Sequence, residues 1–316
     1  MEHSGHGMSV DLPPFTLGRG LAWSPDLFFL VACLAGLALY GWGVVRLARR
    51  GDKWPVGRTV AFGAGVVSIG LMMCTALNDY GMVMFSVHMV QHMVISMLSP
   101  ILILLGAPIT LALRALPPAA RGRKGPRELL LALLHSRYMR VVTHPAFTIP
   151  MFIASLYGLY FTPLFDFLMG SRPGHAAMMV HFLMVGVVFF WPIMGVDPGP
   201  HRPGYLMRML ELFAGMPFHA FFGIALMMGS TPMVDTYADP PASLGIDALS
   251  DQNAAGGIAW AFSEIPSVLV LIALLFQWYA SEQRQARRKD RAADRDGDKE
   301  LQAYNAYLAS LDARGR

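Results

Sequence analysis

Apolar residues along this chain come in long runs, without the short alternations or narrow stripes of a soluble fold. A membrane helix needs about 20 mostly apolar residues. Seven stretches qualify: 26–48, 57–78, 83–105, 144–163, 174–195, 205–229 and 257–280. A further apolar piece, 107–116, is too short to span and is expected at the membrane interface. The pattern predicts an all-α, polytopic membrane helical bundle with about seven transmembrane helices. It divides the chain into an N-terminal segment (1–25), a transmembrane domain (26–280) and a charged tail (281–316).

The polar positions between the runs set the orientation. Arg46, Arg49, Arg50, Lys53 and Arg58 separate the first two runs, and Arg114, Arg121, Arg123, Lys124, Arg127, Arg137 and Arg140 separate the third and fourth. Arg202 and Arg208 flank the loop before the sixth, and the tail is dense in Arg, Lys and Asp. Of the 25 Lys and Arg, only Arg19 and Arg172 fall on the other side. Basic residues collect on the cytoplasmic side. The N-terminus is therefore expected outside and the C-terminus in the cytoplasm, consistent with an odd number of spans. Residues 1–20 hold no basic n-region, so no cleavable signal peptide is expected. The expected location is a bacterial plasma (inner) membrane, crossed several times.

Composition narrows the picture. The chain is 54% apolar and 15% charged, against about 25% charged for a soluble domain. That excludes a charged soluble shell and excludes disorder over the bulk of the chain. Cys33 and Cys74 lie within apolar runs and read as reduced core residues. The net charge of +4 reports topology, so no nucleic-acid partner is expected. Lysine occurs only at 53, 124, 289 and 299, outside every span, which excludes a retinal Schiff base.

Ionisable residues inside a bilayer mark function, because a lipid-facing charge costs about 2.5–3.5 kcal/mol. At 1.5 Å rise per residue, His88, His92, His181, His219 and Glu264 fall within a layer roughly 7–15 Å below the outer surface. His175 stands at the mouth. His88 and His92 are four residues apart and share one helix face, a usual spacing for two ligands of one metal. Imidazole suits copper, zinc, iron and nickel. Gln91 stands where a zinc protease would need a glutamate, so proteolysis is rejected. Two structural alternatives remain: the histidines bond neighbouring helices, and His219 is a helix–helix hydrogen bond. His175, His181, His219 and Glu264 complete the candidate metal set; no catalytic residue is expected. Glu211 lies deeper, within reach of Arg208, and reads as structural. The N-terminal His3, His6 and Met8 form a possible copper-capture tract, since thioether favours Cu(I). Most of the 22 methionines read as packing residues.

Several motifs lie around these positions. They are His88-Met-Val-Gln-His92, Ser99-Pro100, Leu105-Gly106-Ala107-Pro108 and Thr143-His144-Pro145. Further on come His181-Phe-Leu-Met-Val-Gly186 and Phe190-Trp191-Pro192-Ile-Met-Gly195-Val-Asp197-Pro198. The last is Asp251-Gln252, followed by Gly256-Gly257-Ile-Ala-Trp260 and Glu264. Together they resemble the CtaG-type family of cytochrome c oxidase assembly factors, over roughly residues 20–280. The resemblance implies a seven-span membrane protein linked to copper-dependent maturation of haem–copper oxidases. It names a process better than a reaction.

Three readings follow. The first is a copper-handling assembly factor, not an enzyme, which takes copper on the outer side and passes it to an oxidase subunit or other copper carrier. The second is a membrane haem protein, with His92 and either His181 or His219 as axial ligands. The third is a metal transporter, including a copper transporter. A homo-oligomer is compatible with all three. The topology makes a direct prediction. Single cysteines introduced at Ala242 and Ala119, in a background with Cys33 and Cys74 replaced, are labelled by a membrane-impermeant thiol reagent from opposite sides. Labelling of both from one side overturns the alternation.

Overall fold

The computed structural model describes residues 12–120, 123–201, 203–296 and 299–314. His3, His6, Met8, Arg121 and Arg202 lie outside the described residues. The fold is an all-α polytopic bundle. Its main helices are α1 (Leu27–Arg49), α2 (Val56–Met73), α3 (Phe85–Met93), α4 (Ser99–Leu105), α5 (Pro108–Ala115), α6 (Pro145–Tyr160), α7 (Arg172–Met194), α8 (Tyr205–Met228), α9 (Ala248–Asp296) and α10 (Lys299–Arg314).

Six helical stretches among the described residues are long and apolar enough to cross a membrane: α1, α2, 85–115, α7, α8 and α9. The expected fourth span is a shorter apolar helix, α6, of 16 residues. The piece expected at the interface, 107–116, is α5, a separate helix after a sharp turn at Ala107 (φ 51°). Exposed apolar side chains such as Leu27, Val31, Leu39, Val60 and Phe221 cover the outside, as a lipid-facing surface requires. The chain divides into two compact units, one reaching Val270 and one running from Leu271 to Arg316. The second contains the end of α9 and α10, with Tyr304 and Tyr307 exposed.

Within the first unit, loop contacts define two ends. At the basic end Arg50 donates to Arg114 O, His201 Nε2 lies 2.8 Å from Arg140 O, and Arg58 and Arg114 stack over the Trp54 ring. At the opposite end Arg172 pairs with Asp79 at 2.8 Å, Tyr237 donates to Gly81 O, and Thr236 N donates to Asp166. The starts of α3, α7 and α9 and the ends of α2, α6 and α8 therefore share this second end.

Proline shapes the middle of the bundle. Pro100 has no N–H and its ring crowds the carbonyl four residues back, Ser96 O. The helix opens there into a π-helical turn, Val94–Leu98, between α3 and α4. The displaced backbone is met by α7 at Gly186. A Cβ at that glycine would lie 2.0 Å from Ser96 O and 2.7 Å from Pro100 Cγ. Small residues allow such close approach between membrane helices. Gly223 of α8 and Gly256 of α9 do the same, since a Cβ on either would come within 2.6 Å of the other's carbonyl oxygen. At the far end of α4, Tyr40 donates to Gly106 O at 2.8 Å, which satisfies a carbonyl freed by the turn at Ala107.

A methyl group should separate these tight crossings from open positions. Gly186→Ala is expected to cost about 1–3 kcal/mol, in the range of overpacked cores. Gly158→Ala, where nothing lies within 4 Å, should stay near wild type. Thermal unfolding in detergent distinguishes them, and equal stability would disprove the close packing at Gly186.

A buried histidine column at the candidate functional site

The helix that carries His88 and His92 begins without a local cap. Its first amides are capped from 165 residues away: Phe85 N donates to Asp251 Oδ2 at 2.6 Å and Ser86 N to Asp251 Oδ1 at 3.2 Å. The Ser86 hydroxyl also donates to Asp251. Carboxylate charge at a helix N-terminus is favourable. Asp251 opens α9, so this cap sets α3 against α9. Next to it, Gln252 accepts from Met233 N at 2.7 Å and donates to Leu226 O and Thr231 O, tying down the loop after α8. Asp197 plays the same part at the basic end, accepting from Ile109 N and Thr110 N at the start of α5.

Four histidines then form a column in the first unit. His88 and His92 come from α3, His175 from the first turn of α7, and His219 from the middle of α8. They are 0%, 2%, 2% and 3% exposed. The His175 and His88 rings are 5.6 Å apart and the His92 and His219 rings 6.3 Å. Between the two pairs stands Tyr160, the last residue of α6. Its hydroxyl is 3.0 Å from His88 Nε2 and 3.3 Å from His92 Nδ1. Aromatic rings close the sides. Phe165 meets His88 edge-on at 5.1 Å, Phe182 meets His92 at 3.9 Å, and Phe152 lies 5.0 Å from His219.

Three ring nitrogens of the column have no hydrogen-bond partner although fully buried: His88 Nδ1, His175 Nε2 and His219 Nε2. A buried polar atom left unpaired costs roughly 1–3 kcal/mol. Next to His219 a small cavity of about 10 Å3 is lined by Met97, Met216, Ser263 and Ser267, room for about one water.

The other candidates sit elsewhere. His181 is exposed on α7, and its Nε2 lies 2.8 Å from Ser155 Oγ. The structure does not bring it into the column: six residues separate it from His175, and that rotation turns it to the outer face of α7. Glu264 is half-buried on α9, one residue after the cavity-lining Ser263. Among the described residues no three of His, Cys, Asp and Glu gather as a ready metal cluster. Glu211 lies in the α6–α8 interface, where Thr148 donates to its Oε1 at 2.6 Å. Gln91 donates to Met72 O at 2.9 Å, a structural role. His144 caps α6, its Nδ1 accepting from Ala146 N. Cys33 and Cys74 are free thiols.

Tyr160 was not legible as a site residue. Tyrosine at the end of an apolar run signals a membrane-interface belt, and only the packing of α6 against α3 places it between two imidazoles.

The class of protein is thus a polytopic helical membrane protein with a buried histidine–tyrosine column in its interior. The chain belongs to the family described as cytochrome c oxidase caa3 assembly factor, whose profile matches residues 38–281. It is also 45% identical to uncharacterized proteins of Mycobacterium bovis and Mycobacterium tuberculosis over 309 residues, and of Mycobacterium leprae over 311. These alignments cover 96% of this chain and 47% of each relative, so the chain spans about half the length of the curated relatives it matches. No solved structure matches it.

The Asp251 cap carries a prediction of its own. Asp251→Ala should destabilise the protein by about 1–2 kcal/mol, the range for a lost N-cap, whereas Asp239→Ala, at an exposed bend, should cost less. A thermal shift in detergent reads the difference, and equal shifts would remove Asp251 from its anchoring role.

Proposed function

We propose that the protein is a copper-handling assembly factor that supports the metallation of a haem–copper oxidase from the extracytoplasmic side. Copper is its cargo, received at the less basic end of the bundle and passed to an oxidase subunit. The observation that carries the reading is the column of four buried histidines with three unpartnered ring nitrogens. Neutral imidazole binds copper in either oxidation state, and the thioethers of Met97 and Met216 beside His219 favour Cu(I).

The ring spacing fits the cargo. Two imidazoles that share one ion through bonds of about 2.0–2.1 Å hold their ring centroids roughly 5–6.5 Å apart. The 5.6 Å and 6.3 Å pairs lie within that range. His175 and His88 make the outer pair, and His92 and His219 the inner one. The surrounding aromatic rings screen the imidazoles, whose neutral form is the ligating one. In this reading His181 and Glu264 stand outside the first set of ligands, and the His3, His6 and Met8 tract serves as a capture segment.

Haem fits less well. His92 packs directly on Phe182 and Tyr160, and the cavity at His219 has room for about one water, far below the volume of a porphyrin. Transport through the bundle would need a path past the stacked Phe152 and Phe189 rings, 4.2 Å apart.

The purified full chain should carry copper that a His88→Ala/His92→Ala variant lacks, as measured by elemental analysis. Equal copper in both would remove the column from copper handling. Affinity should fall on acidification, because protons compete for the imidazole lone pairs. A chelator competition at neutral and acid pH checks the sign, and tighter binding in acid would contradict imidazole ligation. A Soret band in the purified protein would favour the haem reading instead. Copper uptake into proteoliposomes would favour transport.

A further inference from the structure

The hydrogen bonds at Tyr160 impose a rule on the column. A neutral imidazole carries one N–H and one lone pair, and a phenol carries one O–H. Tyr160 meets His88 Nε2 and His92 Nδ1 at once. Two hydrogen bonds need two protons, and the phenol supplies one. The other comes from one of the two imidazoles.

Only two arrangements satisfy this. In the first, His88 Nε2–H donates to the phenol oxygen and the phenol donates to His92 Nδ1. His88 then has a bare Nδ1, and the proton of His92 sits on Nε2. In the second, His92 Nδ1–H donates to the phenol oxygen and the phenol donates to His88 Nε2. His92 then has a bare Nε2, and the proton of His88 sits on Nδ1. The hydroxyl thus lets only one of the two histidines offer its outward nitrogen to a ligand.

Each ring has a second imidazole beside it: the His175 ring is 5.6 Å from His88 and the His219 ring 6.3 Å from His92, and His88 Nδ1, His175 Nε2 and His219 Nε2 lack partners. We propose that Tyr160 makes the His175–His88 pair and the His92–His219 pair mutually exclusive sites for a soft monovalent metal ion, so that the column holds one ion at a time. This rests on the copper reading of the same column. Tyr160 is a positioning residue and touches no ion. Movement of the ion from the outer to the inner pair is matched by one proton: His92 Nε2–H is given up and His88 Nδ1 gains a proton, while the two bonds at the phenol reverse direction. Each of the three residues carries one proton before and after, because the proton relayed from His88 through the phenol to His92 replaces the one that leaves His92 Nε2, so the step changes tautomers and not charges.

The test is an anaerobic titration of the full chain in detergent with Cu(I) against a competing chelator. Column ions are counted relative to the His88→Ala/His92→Ala variant, which removes any contribution from His3, His6 and Met8. Wild type is expected to hold one column ion. His175→Ala and His219→Ala should each still hold one, and the double variant none. Tyr160→Phe should hold two, because each histidine then chooses its tautomer alone. Two ions in wild type, loss of the ion in either single variant, or one ion in folded Tyr160→Phe would each overturn the proposal while leaving copper binding in place. A wild type no richer than His88→Ala/His92→Ala would instead end the copper reading itself. Should Tyr160→Phe fail to fold, 15N spectra of histidine-labelled protein decide. Loaded His219→Ala should show His92 protonated at Nε2, and loaded His175→Ala should show it protonated at Nδ1. The same tautomer in both would overturn the proposal.

Discussion

The contact on which the column depends is the hydrogen bonding of one phenol to two imidazoles. In hydrocarbon a polar group cannot turn to water, so its partner must come from the protein. Tyr160 supplies that partner to His88 and His92 together. The bonds also join α6 to α3 deep among apolar side chains. The direction of these bonds decides which ring nitrogens are free, and so links the packing of the bundle to what its interior can hold.

That contact is held in register by fasteners at the helix ends. Asp251 caps α3 and Asp197 caps α5, and Gln252 ties the loop after α8 to α9. Pro100 opens the π turn that Gly186 packs against. Many motif residues that carried the family resemblance are therefore mechanical. They satisfy backbone groups that a broken helix or an uncapped start would leave bare in a membrane. The histidines stand apart from this group, because three of their nitrogens are left unpaired at a cost the fold could avoid with apolar residues.

The placement of His181 shows how depth in the membrane and direction around a helix are separate pieces of information. Counting residues gave His181 an expected depth. The helical period put it on the exposed face of α7, hydrogen-bonded to Ser155, while His175 on the same helix turned inward to His88. Glu264 lies on α9, half-buried beside the cavity-lining Ser263 and not within the column. His219, whose alternatives were open, stands in the column because α8 packs it against His92 of α3 and Phe152 of α6.

By itself the sequence determined the all-α membrane architecture, since repeated runs of about 20 apolar residues satisfy their backbone groups in a bilayer only as helices. It also marked His88 and His92 as sharing a face, which follows from 3.6 residues per turn alone. The tertiary structure alone decided which distant residues meet them. Tyr160, His175 and His219 lie 68 or more residues from their partners in three other helices. Rotation of each helix about its axis is set by packing at Gly186, Gly223 and Gly256 and by the caps at Asp197 and Asp251. Those contacts are between elements, and no period along a single helix encodes them.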